Sequence, residues 1–191
     1  MASHDDKRRR ILDAATAVFA ERDFHQVLVS EVAARAGVGK GTVYLYFPTK
    51  DQLHRVALEG SLERLAGEVE AAAGSDAPVD EALRRIVLSI LRFFWRRPHL
   101  LTLVQRFEQR APRRASERRR RVVHAVENVL ARHRLGGTGE ARHLAASFLL
   151  GLARAGIFEH APDDRPETVA ARAVEVFLHG VTVARRQRGA A

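Results

Sequence analysis

Two short helical patterns separated by a glycine constrain the fold of this chain more than any other feature of its sequence. Apolar residues recur one helical turn apart in each segment. Gly37 follows the first segment where the chain must turn sharply, and we expect it to adopt a positive φ, which glycine reaches at little cost. Pro48 disfavours helical geometry at the residue before it. The sequence therefore predicts helices over 29–36 and 40–47 with a tight turn between them.

Three residues at fixed offsets favour a helix-turn-helix of the kind that reads DNA. Ala33 is small where two helices must cross closely, Gly37 provides the turn, and Val43 is an apolar contact from the second helix to the first. With Val43 and Phe47 inward, short residues point outward and longer ones flank them, as a helix in a major groove requires. The residues predicted to contact DNA are Lys40, Gly41, Thr42, Tyr44, Leu45 and Tyr46. The alternative is a solvated helical hairpin in an all-α protein.

The segment 37–53, which reads GVGKGTVYLYFPTKDQL, resembles the signature of the TetR family of bacterial transcriptional regulators. The similarity is specific over about residues 7–55, and beyond them it covers only length and helical pattern. It implies a two-domain, all-helical homodimer, usually a repressor that a small molecule releases from its operator. This chain departs from the family at Leu28 and Gly39, where Ser or Thr usually caps the motif helices. Leu28 is a poor cap, so we expect the first motif helix to begin at Ser30 or to fray.

Composition limits the other classes of function. The 191 residues include no cysteine, which excludes disulfides and thiolate metal sites and fits a reducing cytoplasm. The formal charge is +9, but residues 1–50 contribute only +2, so the DNA-binding prediction depends on the motif. Residues 118–121 are four arginines, which we interpret as a solvated helix face, with a second DNA-binding patch or an acidic-ligand rim as alternatives. No apolar run approaches the ~18 residues of a membrane span, so we expect a cytoplasmic protein.

Two further patterns flank the motif. An apolar stripe predicts an amphipathic helix over about 6–22, with four basic residues at 7–10 near its start. Cations are unfavourable at that end of a helix dipole, which suggests that some of them contact phosphates; a solvated tail is the alternative. Thr49 and Gln52 form a capping box that opens a helix to about residue 73, and the adjacent Lys50 is a further candidate phosphate contact.

The remaining patterns predict an all-α protein of about nine helices, without strands or repeats. We place a helix-turn-helix DNA-binding domain at 1–48 and a larger helical ligand-binding and dimerisation domain at 49–191. The larger domain has further helical patterns over 79–97, 100–110, 114–134, 138–158 and 167–187.

The last two helices have wide apolar faces with small residues among them, which favours a homodimer held by a four-helix bundle. Ordinary intramolecular core is the alternative. The predicted interface residues are Phe148, Leu152, Val174, Phe177, Leu178 and Val181.

Aromatic residues in the larger domain are, as a group, candidates for an apolar ligand pocket, although each alone is better explained as core. The predicted lining residues are Phe93, Phe94, Trp95, Phe107, His124 and Phe148. No histidine pair has helical ligand spacing with a nearby carboxylate, and no catalytic motif occurs, so we expect no metal, no cofactor and no enzyme activity.

The sequence thus predicts a homodimeric repressor that binds double-stranded operator DNA and an unidentified small, mostly apolar effector. Two alternatives stay open. One is an activator or a regulator without a ligand. The other is a helical ligand-binding protein with a vestigial DNA motif, which would show no salt-dependent DNA binding.

Overall fold

The computed structural model describes residues 4–95, 104 and 112–188, without the side chains of 112, 114, 115 and 181–188. The described residues form eight α-helices and a 3₁₀ turn, and they contain no strand, which confirms the all-α prediction. The helices are α1 (His4–Glu21), α2 (Val29–Ala36), α3 (Lys40–Tyr46), α4 (Lys50–Gly74), α5 (Val79–Phe94), α6 (Pro112–Arg132), α7 (Glu140–Phe158) and α8 (Pro166–Arg188). The helix predicted over 100–110 lies outside the described residues except for Val104, which is helical.

The chain divides into two compact units, Met1–Arg64 and Leu65–Ala191, and the division falls inside α4. The boundary predicted at residues 48–49 coincides instead with the start of α4. The difference arises because Leu53 and Ala57, on the first half of α4, are buried in the core of the N-terminal unit.

The core of the N-terminal unit is formed by one face each of α1, α2 and α3, together with the first half of α4. Ile11, Val32 and Val43 are completely buried there, one from each helix. Phe47 is also buried, and its N–H still donates to Val43 O at 2.9 Å although its backbone is extended, with φ −136°. Pro48 follows at once, and α3 ends at Tyr46, one residue before the predicted end. Val43 and Phe47 are buried, as expected.

Gly37 ends α2 in the left-handed region, with φ 64° and ψ 42°, which confirms the predicted positive φ. Its N–H donates to Ala34 O at 3.1 Å, and the N–H of Val38 donates to Ala33 O at 3.0 Å. These two bonds form the Schellman pattern, which satisfies carbonyls that the helix end would otherwise leave unpaired. The turn between α2 and α3 is therefore fixed by backbone hydrogen bonds.

Arg10 of α1 closes the same turn from outside. Its Nη2 donates to the carbonyl oxygens of Ala36 at 2.5 Å and of Gly37 at 3.3 Å. A Cβ added to Gly37 would lie 2.7 Å from that Nη2 atom. The positive φ favours glycine at this turn, and a Cβ there would also force the Arg10 guanidinium to shift.

The start of α2 is stabilised by Glu31 rather than by the residue that precedes the helix. The carboxylate of Glu31 accepts the backbone N–H of Leu28 at 3.0 Å and Nη1 of Arg22 at 2.9 Å. The expectation that α2 begins at Ser30 or frays is wrong, because this bond allows the helix to begin at Val29. The N–H of Leu28, and then the guanidinium of Arg22, hold the pKa of the Glu31 carboxyl below its ordinary value.

The second unit packs the end of α4 with α5–α8. Leu83, Ile86 and Val87 place α5 in its core, completely buried, and α5 contacts α6, α7 and α8. Arg121 of α6 forms a bidentate ion pair with Glu70 of α4, with both N–O distances 2.7 Å. This pair has no signal in the sequence, because its partners lie far apart in the chain.

We expect Gly37→Ala to lower the free energy of unfolding of the N-terminal unit by about 1–2 kcal/mol, the cost of left-handed backbone for a residue with a Cβ. Gly41→Ala is the matched control, because a Cβ there contacts nothing within 4 Å and alanine favours a helix. Hydrogen exchange of α1–α3 in the full chain measures both variants. Equal protection in the two variants would contradict the assigned role of the turn.

The cap at Glu31 also predicts a dependence on pH. Because the pKa of Glu31 is lower in the folded protein than the unfolded value of 4.5, its stabilising effect is present above that value and is lost as the pH falls through the folded pKa. Glu31→Gln should therefore reduce stability at pH 7 and reduce the further loss between pH 5 and about pH 3. Unfolding by urea at a series of pH values measures this difference, and parallel curves for the two proteins would refute it.

Candidate nucleic-acid interface

Helix α3 has one buried and one exposed side. Val43 is buried beneath the helix, whereas the opposite side carries Lys40, Gly41, Thr42, Tyr44 and Leu45. Leu45 is 84% exposed and Tyr44 is 39% exposed, while Thr42 is half-buried. The structure therefore brings five of the predicted DNA-contacting residues to one surface. That surface combines a cation, two hydroxyl groups, a glycine and an apolar side chain.

Two other predicted DNA-contacting residues rest against aromatic rings. The ring of Tyr46 lies 4.6 Å from that of His4 in α1, and its side chain is half-buried against the core. Nζ of Lys50 lies 4.4 Å from the centre of the Phe24 ring, at the range of a cation–π interaction. Tyr46, at the end of α3, and Lys50, at the start of α4, thus have defined contacts rather than extending freely into solvent.

The first turn of α4 has one of the two hydrogen bonds of the predicted capping box. The N–H of Gln52 donates to Oγ1 of Thr49 at 3.1 Å. Lys50 is the first residue of α4, so the capped turn begins shortly after the end of α3.

The basic segment at residues 7–10 is only partly what the sequence predicted. Arg10 donates to the carbonyl oxygens at the end of α2, so its role is structural. Arg9 pairs with Asp6 at 3.2 Å, and the guanidinium of Arg8 lies 5.4 Å from the centre of the Phe47 ring. Arg10 therefore caps the end of α2 and is not the phosphate contact that was predicted for this segment. The packing of α1 on α2 brings its guanidinium to these carbonyl oxygens.

The predicted ligand-pocket residues fall into separate environments. Phe94 is buried in the core, and Phe93 is half-buried beside it, with the ring centres 4.8 Å apart. Trp95 stacks on His160 at 4.0 Å, and Nδ1 of His160 is buried with no hydrogen-bond partner among the described residues. This pairing of His160 with Trp95 was not predicted from the sequence.

The other pocket candidates lie elsewhere. His124 is exposed on α6, and Phe148 is 63% exposed on α7. Phe107 lies outside the described residues. A separate open groove lies between α5 and α8. Its lining mixes charged and apolar residues: Asp80, Arg84, Ala171, Val174, Glu175, Leu178 and His179. The pocket stays a prediction, with Phe93 and Trp95 as its half-buried members.

The predicted dimer-interface residues differ in exposure. Val174 and Phe177 are 2% and 5% exposed, so other parts of the same protomer already cover them. Phe148 is largely exposed, and Leu152 and Leu178 are half-buried. The side chain of Val181 lies outside the described residues. The dimer prediction therefore depends on the exposed members of this set.

One polar cluster was not predicted from the sequence. Nδ1 of His124 and Nδ1 of His143 lie 2.6 Å and 2.8 Å from the two carboxylate oxygens of Glu127, joining α6 to α7. Burial alone would raise the pKa of Glu127, but the contacts with His143 and His124 bring it below its ordinary value. The spacing of His124 and Glu127 is visible in the sequence, whereas His143 comes from another helix.

In the described part of the chain, no group of three or more histidine, aspartate or glutamate side chains is arranged to hold a metal ion. Within the same residues, no helix has the length and apolar character needed to cross a membrane.

Comparisons with known proteins agree with this geometry. Residues 11–56 match the family described as bacterial regulatory proteins, tetR family. The chain is 40% identical over 84 residues to the transcriptional repressor LfrR of Mycolicibacterium smegmatis, covering 44% of this chain and 43% of LfrR. It is 30% identical over 142 residues to the repressor KstR of Mycobacterium tuberculosis, covering 73% of this chain and 64% of KstR. The chain thus spans less than two thirds of the length of either repressor.

The fold agrees over almost the whole chain. A TetR-family transcriptional regulator from Streptomyces coelicolor superimposes with a TM-score of 0.65 at 26% identity, covering 93% of this chain and 96% of that structure. A further structure, from Mesorhizobium loti, gives a TM-score of 0.69 at 23% identity, covering 94% of this chain and 98% of the other. The family match includes the α2–α3 turn and the buried side of α3, while the structural agreement extends through the second unit. The chain belongs to the TetR family of bacterial regulatory proteins.

Proposed function

We propose that this chain is a cytoplasmic, homodimeric transcriptional repressor that inserts α3 into the major groove of operator DNA and is released by a small, mostly apolar effector. The observation that carries the proposal is the exposed side of α3, which the burial of Val43 and Phe47 holds outward. The effector and the dimer are further inferences, each with its own support.

The dimensions and chemistry of α3 suit the groove. Seven residues span about 10 Å of helix, and a major groove is ~12 Å wide. Gly41 lets the backbone approach the base edges, since nothing else occupies the space where its Cβ would lie. The Thr42 hydroxyl is the polar group nearest to that approach and can donate to or accept from a base.

The phosphate contacts are expected along the two sides of α3. Lys40 and Tyr44 are exposed on α3. Tyr46 ends the helix beside the His4 ring, and Lys50 follows it against the Phe24 ring. Contacts of this kind fix the position of the protein on the duplex without reading its sequence.

An exposed apolar surface supports the dimer. Among the described residues, the exposed large apolar side chains of the second unit all lie on α7 and α8: Leu144, Phe148, Phe158 and Val176. Leu144, Phe148 and Phe158 recur at i, i+4 and i+14, which places them on one stripe of α7. Pairing two copies through this stripe would remove it from water and would also present two copies of α3 to two half-sites.

The effector is proposed to bind in the second unit, near the half-buried Phe93 and Trp95 at the end of α5. The buried Nδ1 of His160, stacked on Trp95, supplies one polar contact. Because α4 contributes to both compact units, we infer that it transmits the change to the DNA-binding unit. An effector that binds better to the form with low DNA affinity must weaken DNA binding by the same factor.

Repression is the proposed sign of regulation because the relatives LfrR and KstR are both named repressors. Another relative, FasR of Mycolicibacterium smegmatis, is named an activator. A transcription assay distinguishes a repressor from an activator, if its promoter carries the binding site that selection from random duplex DNA identifies. Purified repressor should reduce transcript yield, whereas an increase would favour the activator.

Site selection from random duplex DNA tests the main proposal. We expect a two-fold-symmetric site, with affinity falling tenfold or more between about 50 and 200 mM salt. Lys50→Ala should reduce the magnitude of the slope of log K against log salt concentration by about one. Arg85→Gln, which removes an exposed cation from α5 in the second unit, should leave it unchanged. Absence of any enriched site at low salt would favour a ligand-binding protein with a vestigial motif.

Base reading and phosphate contact are separable by substitution on α3. Thr42→Ala should change the preferred sequence, because it removes a hydroxyl that faces the bases. Tyr44→Phe should weaken binding to all sequences by a similar factor, because a phosphate contact carries no sequence information. Selection repeated with each variant measures both effects, and an unchanged preferred site for Thr42→Ala would contradict this placement of α3 in the groove.

A further inference from the structure

Leu45 is the most exposed of the large apolar side chains that the structure describes. It lies on the exposed side of α3, and Gly41, one turn earlier on that side, has no side chain to cover it. Tyr44, its neighbour in sequence, is only 39% exposed. An apolar side chain that projects alone into water is unfavourable in the unbound protein, so burial in a complex would be favourable.

The major groove has few apolar groups that a leucine side chain can contact. The edges of guanine, cytosine and adenine present only hydrogen-bond donors and acceptors, whereas thymine adds a C5-methyl group. Leucine placed over a G·C pair would remove water from polar groups without replacing the lost hydrogen bonds. Leucine placed over a thymine methyl buries two apolar groups together.

We propose that Leu45 determines part of the sequence specificity by contacting the C5-methyl group of one thymine in each half-site. This inference rests on the proposed DNA-binding function and adds to it the identity of a base. The close approach that Gly41 permits brings the short leucine side chain within reach of the groove floor, next to the base pair that Thr42 faces.

The test uses the full-length protein and the site obtained by selection. Each thymine of the site is replaced in turn by deoxyuridine, which lacks the methyl group but keeps every hydrogen-bonding group. We expect one thymine in each half-site at which replacement weakens binding by the wild-type protein about fourfold, the value of one methyl group removed from a buried contact. Any loss of affinity caused by replacement at the other thymines should not depend on Leu45.

Two variants test whether this loss of binding affinity depends on the Leu45 side chain. Leu45→Ala should bind the thymine and the deoxyuridine sites with nearly equal affinity, because its methyl group no longer reaches the base. Leu28→Ala is the matched control, since Leu28 is also an exposed leucine of the N-terminal unit but precedes α2. This control should keep the full fourfold sensitivity. Because Leu45 is exposed, its truncation leaves the buried core unchanged, and circular dichroism verifies that the variant folds.

The outcomes separate this inference from the function on which it rests. An enriched site in which no thymine is sensitive to loss of its methyl group would overturn the role of Leu45 and leave DNA binding intact. Equal sensitivity in the wild-type protein and in Leu45→Ala would overturn it as well. Failure to select any site would instead refute the proposed function.

Discussion

The left-handed turn at Gly37 is the constraint on which the N-terminal unit depends. It ends α2, reverses the chain within three residues and places α3 so that Val43 is buried beneath it. Left-handed backbone is costly for any residue with a Cβ, and here a Cβ would also displace the end of the Arg10 side chain. Arg10 donates to carbonyl oxygens at the end of α2, so this side chain ties α1 to the turn.

A seven-residue helix is too short to be stable alone, because helix nucleation is costly. Helix α3 therefore forms only because Val43 and Phe47 are buried against α1 and α2. That dependence has a useful consequence for its exposed side. Since stability comes from the buried side, the exposed side can carry glycine, hydroxyl groups and a solvent-facing leucine that would be poor choices in an independent helix.

The high positive charge of the chain has a partly structural explanation. Helix α6 begins with a run of arginines, and Arg121 at the end of that run is paired with Glu70 of α4. Near the other end of α6, Arg132 donates to the carbonyl oxygen of Ala73. Both arginines fasten α6 to the C-terminal half of α4, whereas Arg119 and Arg120 are exposed. The net charge by itself is therefore a poor guide to where DNA binds.

The sequence alone determined the features that depend on neighbouring residues. The glycine turn, the end of α3 before Pro48 and the inward direction of Val43 follow from backbone sterics and helical periodicity, which act within a few residues. Only the tertiary structure decided which basic residues are used for packing, as with Arg10, and how Glu31 and Arg22 support α2. It also decided that the first half of α4 packs with the N-terminal unit and that Val174 is covered within its own protomer. These outcomes depend on contacts between residues distant in the chain, which no local pattern encodes.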